Sequence, residues 1–230
     1  MKHLWKLALM AAICSCTADK TTIIEKRYRD SDQVQFQYHA MKDDTSVKHG
    51  EWKAFYGSGN LEENKTYVDD KLEGLGTAYY ESGELLEKLS YKNDSIDGLR
   101  QMFYSNGQVM TEESRRMDEW HGQYKSFYEN GNLKEEGNYE DNFMSGVWKF
   151  YFESGKLKEE ITFLYNEENG PATIYFENGE TAAKGNYKAA LEEGKWQFFH
   201  ENGKLRKEAY FLNGKVDGPE SYYNEEGELI

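Results

Sequence analysis

Glycine recurs in this chain with a period of 24 residues. Gly50, Gly74, Gly98, Gly122, Gly146, Gly170, Gly194 and Gly218 form one series, and a second stands nine residues after each member, at 59, 83, 107, 131, 155, 179, 203 and 227. Two unbroken series of eight leave only five of the 21 glycines outside the pattern, so the chain is an array of one small structural unit. Seven full units run from Gly50 to Asp217 and an eighth is cut short at Ile230.

With the first glycine as position 0, position 5 is a ring in all eight units (Phe55, Tyr79, Phe103, Phe127, Tyr151, Tyr175, Phe199, Tyr223) and position 11 is mostly Leu. Rings and β-branched residues before a turn, then an alternating run after it, indicate two strands joined by a hairpin. The turn triplets, such as Glu-Ser-Gly and Glu-Asn-Gly, suit a three-residue loop, a type I turn closed by glycine in the left-handed region as a G1 bulge. In that register position 6 faces 10, 5 faces 11 and 3 faces 13, which sets Lys53, Lys125 and Lys149 opposite Glu63, Glu135 and Glu159. Position 17 then shares a face with 5 and 11, while positions 2, 4 and 6 take the other. The expected fold is all-β: an elongated, twisted, single-sheet meander of about sixteen antiparallel strands.

Composition agrees with a folded chain and narrows its partners. Rings make up 15% of the 230 residues, enough apolar surface to offset chain entropy. Lys and Arg number 28 against 42 Asp and Glu; such an excess opposes nucleic acid and gives no electrostatic grip on anionic lipid.

Residues 1–15 read as a signal peptide, with Lys2 and Lys6 before an apolar run too short to span a bilayer. Ile13-Cys14-Ser15-Cys16 resembles the bacterial lipobox, which implies cleavage before Cys16, lipidation of its sulfur, and a membrane-anchored lipoprotein of the cell envelope facing periplasm or cell surface. Acyl chains anchor without basic residues, and no disulfide remains possible within the mature chain. Residues 16–33 read as a tether and 34–49 as a capping strand, Val34 to Tyr38, with its lead-in; 50–230 hold the repeats.

The unit G-x-W-x-x-Y/F-Y/F-x-N/S-G-x-L-x-x-E-x-x-Y is similar to the MORN repeat, in the variant form common in bacteria and found in proteins grouped as YwqK-type antitoxins. The resemblance covers Gly50 to Ile230. It implies a non-enzymatic scaffold for protein interaction; the grouping implies, as an alternative, an antitoxin or immunity-type role.

No catalytic, cofactor or metal constellation stands out. His49 and His121 precede anchor glycines, and His200 takes a ring's place at position 6. The stretch Asn93 to Gly98 is a poor calcium loop, because Tyr104 stands where a closing Glu is needed. The candidate partner-binding face is the ring stripe at positions 2 and 6: Trp52, Tyr56, Tyr80, Tyr104, Tyr124, Tyr128, Trp148, Phe152 and Trp196. Either coiling buries both ring stripes or this one lines a groove for a protein partner. Units 98–121, with Arg115, Arg116, Met117 and Trp120, and 170–193, with Thr181, Ala182 and Ala183, depart from the consensus; such breaks mark a site, a weak joint or drift, and drift is the preferred reading. The uncapped edge at Gly227 to Ile230 is a place where a second copy could pair.

Overall fold

The computed structural model describes residues 20–29 and 31–230. The expected signal peptide and the expected lipidation site, Cys16, lie outside them. The described residues form one sheet of 20 strands, each row paired antiparallel with its chain neighbour. The count exceeds sixteen for two reasons. Three rows are split, as Lys71–Leu72 and Gly74–Tyr79 are, and a further strand, Thr21–Arg27, lies in the stretch read as a tether.

That strand completes a hairpin with Val34–Met41 which is itself a repeat. Arg27 faces Val34 and Thr22 faces Ala40, as Phe55 faces Leu61 and Gly50 faces Tyr67. The hydroxyl of Tyr28 donates to Phe55 O at 2.8 Å, as that of Tyr56 does to Tyr79 O at 2.7 Å. Thr22 replaces the anchor glycine and Tyr28 stands 28 residues before Tyr56, so the period skips this unit.

Each hairpin tip is the bulged turn expected from its glycine. In the first unit Gly59 N donates to Tyr56 O and Tyr56 N to Asn60 O, both at 2.9 Å, with φ of 95° at Gly59. The bond pair recurs in every unit, to Gly227 N with Asn224 O and Asn224 N with Glu228 O. Position 5 faces 11 as expected, but a bulge follows: Ala54 faces Glu63, leaving Glu62 unpaired. The rest of the strand is therefore displaced by one residue, and position 3 faces 14 instead of 13. Lys53 lies opposite Asn64, Lys125 opposite Glu136 and Lys149 opposite Glu160, the last at 3.7 Å.

One extra residue exchanges the two faces. Position 17 joins positions 2, 4, 13 and 15, and this face holds the core. A single row runs along the ribbon with one residue per strand, alternating positions 2 and 15. From the middle onward it reads Arg100, Glu113, Tyr124, Gly137, Trp148, Ile161, Ala172, Gly185, Trp196, Ala209. Ile161, Ala172 and Trp196 of this row, with Ala183 beside them at position 13, form a buried apolar cluster.

Neighbouring hairpins join through two-residue turns at positions 19 and 20. Both residues take positive φ in all seven joints, from 49° and 66° at Asp69 and Asp70 to 50° and 73° at Asn213 and Gly214, the type I′ geometry that Asn, Asp and Gly favour. In five of them the position-20 side chain accepts a backbone N–H from the preceding joint, as Asn166 Oδ1 does from Met144 N at 2.6 Å. Ala190, at φ 61°, has no such acceptor and an unfavourable backbone. Ala190→Asn supplies an acceptor for Glu168 N and a residue suited to that region. It should stabilise the protein by about 1 kcal/mol, read as a rise in thermal midpoint; an unchanged or lower midpoint would count against the clamp.

Candidate interaction surface

The nine rings expected on one open face have three different fates. Trp148 and Trp196, at 1% and 2% exposure, are core residues. Each indole lies flat over a glycine of the preceding unit, Gly137 or Gly185, and donates Nε1–H to Asn138 O at 3.2 Å or Asn186 O at 3.1 Å. The rings that cover them come from position 17, which the register shift placed on this face (Tyr139, Phe163 and Tyr187), and from position 4 (Phe150 and Phe198). Trp52 and Tyr124 are half-buried in the same row. Trp52 stacks on Phe36 at 6.4 Å, and Tyr124 meets Trp120, Tyr139 and Trp148 at 5.2, 5.6 and 5.7 Å. Burial first, then the Glu135 carboxylate, pushes the Tyr124 phenol up to about 12.

Position 6 has a different task. Tyr56, Tyr80, Tyr104 and Tyr128 each donate a hydroxyl to the position-5 carbonyl of the next unit, at 2.7 to 2.8 Å. His200 Nε2 reaches Tyr223 O at 3.0 Å in the same way. These side chains fasten one repeat to the next. Phe152 and Phe176 occupy the same position without a hydroxyl, so the ladder is interrupted there. Tyr104→Phe should therefore cost about 1 kcal/mol and Phe152→Tyr should recover a similar amount at its own joint. Paired urea midpoints check this, and equal midpoints for both variants and the parent would refute it.

In unit 98–121 the substitutions are linked to one another. Arg100 takes the place of a position-2 ring, Glu113 the apolar position 15, and Arg115 the ring at 17. Glu113 is 1% exposed. Arg100 Nη1 donates to its Oε1, Arg115 Nη2 to its Oε2 at 3.0 Å, and Arg100 Nε to Glu87 Oε1 at 2.6 Å. The Arg115 guanidinium stacks on Trp120 at 3.9 Å. Glu87, Arg100 and Glu113 are 13 residues apart in the chain, and only the true register shows that they meet.

Exposed apolar side chains gather along the joint-turn edge. Met117 and Tyr165, at position 19, are 71% and 69% exposed, and Phe143, Leu164, Leu191 and Leu212 lie beside the same turns. Phe143 and Tyr165 meet edge to face at 5.7 Å. Met117 and Tyr165 hold φ of 50° and 52°, where a bulky side chain is strained. The opposite sheet face is mainly polar, with Leu75, Leu99 and Val147 exposed at position 1. A shallow groove of about 510 Å³ there is lined by Gln123, Lys125, Glu136, Asn138, Lys149 and Glu160 among others.

The family model described as MORN repeat variant matches seven consecutive segments: 48–69, 72–93, 96–115, 120–141, 144–165, 168–189 and 192–213. The chain is a MORN-repeat protein. Each match but the third spans one hairpin from joint turn to joint turn, so the MORN unit begins two residues before the anchor glycine. The third stops at Arg115, where the position-17 ring is lost. A comparison with curated proteins finds no match.

Within the MORN array the polar candidates serve the repeat. His49 Nδ1 lies 3.0 Å from Asp69 and His121 Nδ1 3.2 Å from Asp141, in equivalent joints. Asp94, in the would-be calcium loop, accepts Leu72 N at 2.7 Å as a joint clamp. Among the described residues no group of three His, Cys, Asp or Glu side chains is placed to hold a metal, and no helix is long and apolar enough to cross a membrane. MORN repeats build a scaffold, and the repeat is not itself a catalytic signature.

Proposed function

We propose that this MORN array is a non-enzymatic scaffold that binds a protein partner along its joint-turn edge, held at the bacterial cell envelope by a lipid on Cys16. The observation that carries the reading is the set of large apolar side chains exposed on that edge, two of them at strained turn positions where Asp or Asn serves in four of the other five joints. A strained and exposed Tyr165 is unexplained by folding, and an apolar patch flanked by polar residues is what a protein partner covers. The lipobox supports the location. Acylation would hold the ribbon by its N-terminal end and leave the acidic array clear of anionic headgroups.

The test is a photo-crosslinking amino acid at Met117, Phe143 or Tyr165 of the full chain in native membranes. A discrete adduct from these positions, lost when Phe143 and Tyr165 are replaced by Asn, is expected; adducts formed equally from the tip residue Asn130, or none at all, would refute the site. Metabolic labelling with a fatty acid that persists in Cys16→Ser would refute the anchor.

A further inference from the structure

We propose that the ribbon folds and opens as two cooperative blocks, joined at the ionic cluster of Glu87, Arg100, Glu113 and Arg115. The inference is independent of any partner. In a repeat array each unit touches only its neighbours, so stability is a sum of unit and interface contributions, and the chain parts first at its weakest interface.

The core row is apolar or ring-filled after the cluster, from Tyr124 to Ala209; before it Lys65 is charged, but it is 24% exposed against 1% for Glu113 and its ammonium lies over the Trp52 ring at 5.5 Å. Before it, Phe36, Tyr38 and Trp52 stack at 6.3 and 6.4 Å and Leu89 is buried. After it, rings touch without a gap from Trp120 through Tyr124, Tyr139 and Trp148 to Phe163, at 4.9 to 6.4 Å. The cluster of Ile161, Ala172, Ala183 and Trp196 continues the line. Between these blocks the row passes through Arg100 and Glu113. A hydrogen-bonded ionic cluster holds its geometry, but desolvation of its charges offsets much of their attraction, so it contributes less than the apolar contacts it replaces.

Two further observations fall on the same unit. Thr111 Oγ1 and Arg115 Nε are buried without hydrogen-bond partners, two of three such side-chain atoms among the described residues. The row leading into the unit is also split, Ser95–Ile96 and Gly98–Phe103 being separate strands, as Lys71–Leu72 and Gly74–Tyr79 are one unit earlier, whereas the corresponding strands from Glu119–Phe127 to Leu191–Phe199 are continuous.

Hydrogen exchange on the full chain in native buffer tests the proposal. Amides of 98–103 and 109–116 should show at least about tenfold lower protection than those of 61–68 on one side and 133–140 on the other. Protection that is highest at 98–116 and declines toward both ends, as a single block frayed at its termini would give, overturns it. The Arg100→Leu/Glu113→Leu/Arg115→Tyr variant should raise protection at 98–116 to the level of its flanks. If that variant does not fold, the wild-type profile still decides.

Discussion

Gly137→Ala is expected to destabilise the protein by about 3 kcal/mol, near the upper end for overpacking a core. A Cβ at this position would lie 2.2, 2.3 and 2.6 Å from Trp148 Cδ2, Cε2 and Cγ. The indole cannot simply step aside. It is 1% exposed, bonded through Nε1 to Asn138 O, and has Phe150 and Phe163 at 6.3 and 6.4 Å. Gly185→Ala, with the same 2.2 Å approach to Trp196, should behave alike. The cause is space and not backbone, since neither glycine is in the left-handed region. Gly74 offers the contrast: φ is 79° and no atom lies within 4 Å of an added Cβ, so Gly74→Ala should cost only about 1–2 kcal/mol of backbone strain. Adding Trp148→Leu should remove most of the Gly137→Ala penalty, giving a double variant close to Trp148→Leu alone. Urea unfolding of the four proteins closes the cycle, and additive losses would show that the contact is not the cause.

Glu113→Leu should cost about 3–5 kcal/mol, although Leu fits position 15 in size and polarity elsewhere in the array. Leu89 occupies that position one unit earlier and is buried. The loss arises from what remains: the Arg100 and Arg115 side chains, 22% and 13% exposed, keep their charge and lose the carboxylate between them. Converting Arg100, Glu113 and Arg115 together to Leu, Leu and Tyr should return stability to within about 1 kcal/mol of the parent or above it. Denaturant midpoints distinguish the two cases. A single variant that unfolds within 1 kcal/mol of the parent would mean that water already compensates these charges.

The hairpin, the bulged tip and the pairing of position 5 with 11 were legible because a three-residue loop asks for left-handed geometry at one residue, and glycine announces it. The bulge beyond the tip has no such marker. Position 12 is Glu62, Leu86, Met110, Lys134, Lys158, Ala182 and Arg206, with nothing in common to betray an unpaired residue. From that one omission followed the exchanged faces, the misplaced Lys and Glu pairs, and the placing of Trp148 and Trp196 on a candidate partner-binding face. The N-terminal hairpin was hidden by Thr22 and its longer loop. The type I′ joints were half legible: Asp69-Asp70 and Asn93-Asp94 suit such a turn, but Met117, Tyr165, Ala189 and Ala190 mask the series. Arg115 stood out as a departure, whereas its partners Arg100, Glu113 and Glu87 carried no signal until their strands were aligned.

Repeats that share one backbone are not interchangeable tiles. In the row through positions 2 and 15, residues from Gly137 onward are sized for the unit before them: Trp148 follows Gly137, Ala172 follows Ile161, and Trp196 follows Gly185. Excising residues 170–193 would leave every turn and clamp position in phase yet bring Trp196 onto Ile161. Excising 146–169 would set Ala172 beside Gly137 and open a void. The volumes therefore write an order into the array, and a unit copied or lost whole is accepted only where large still meets small.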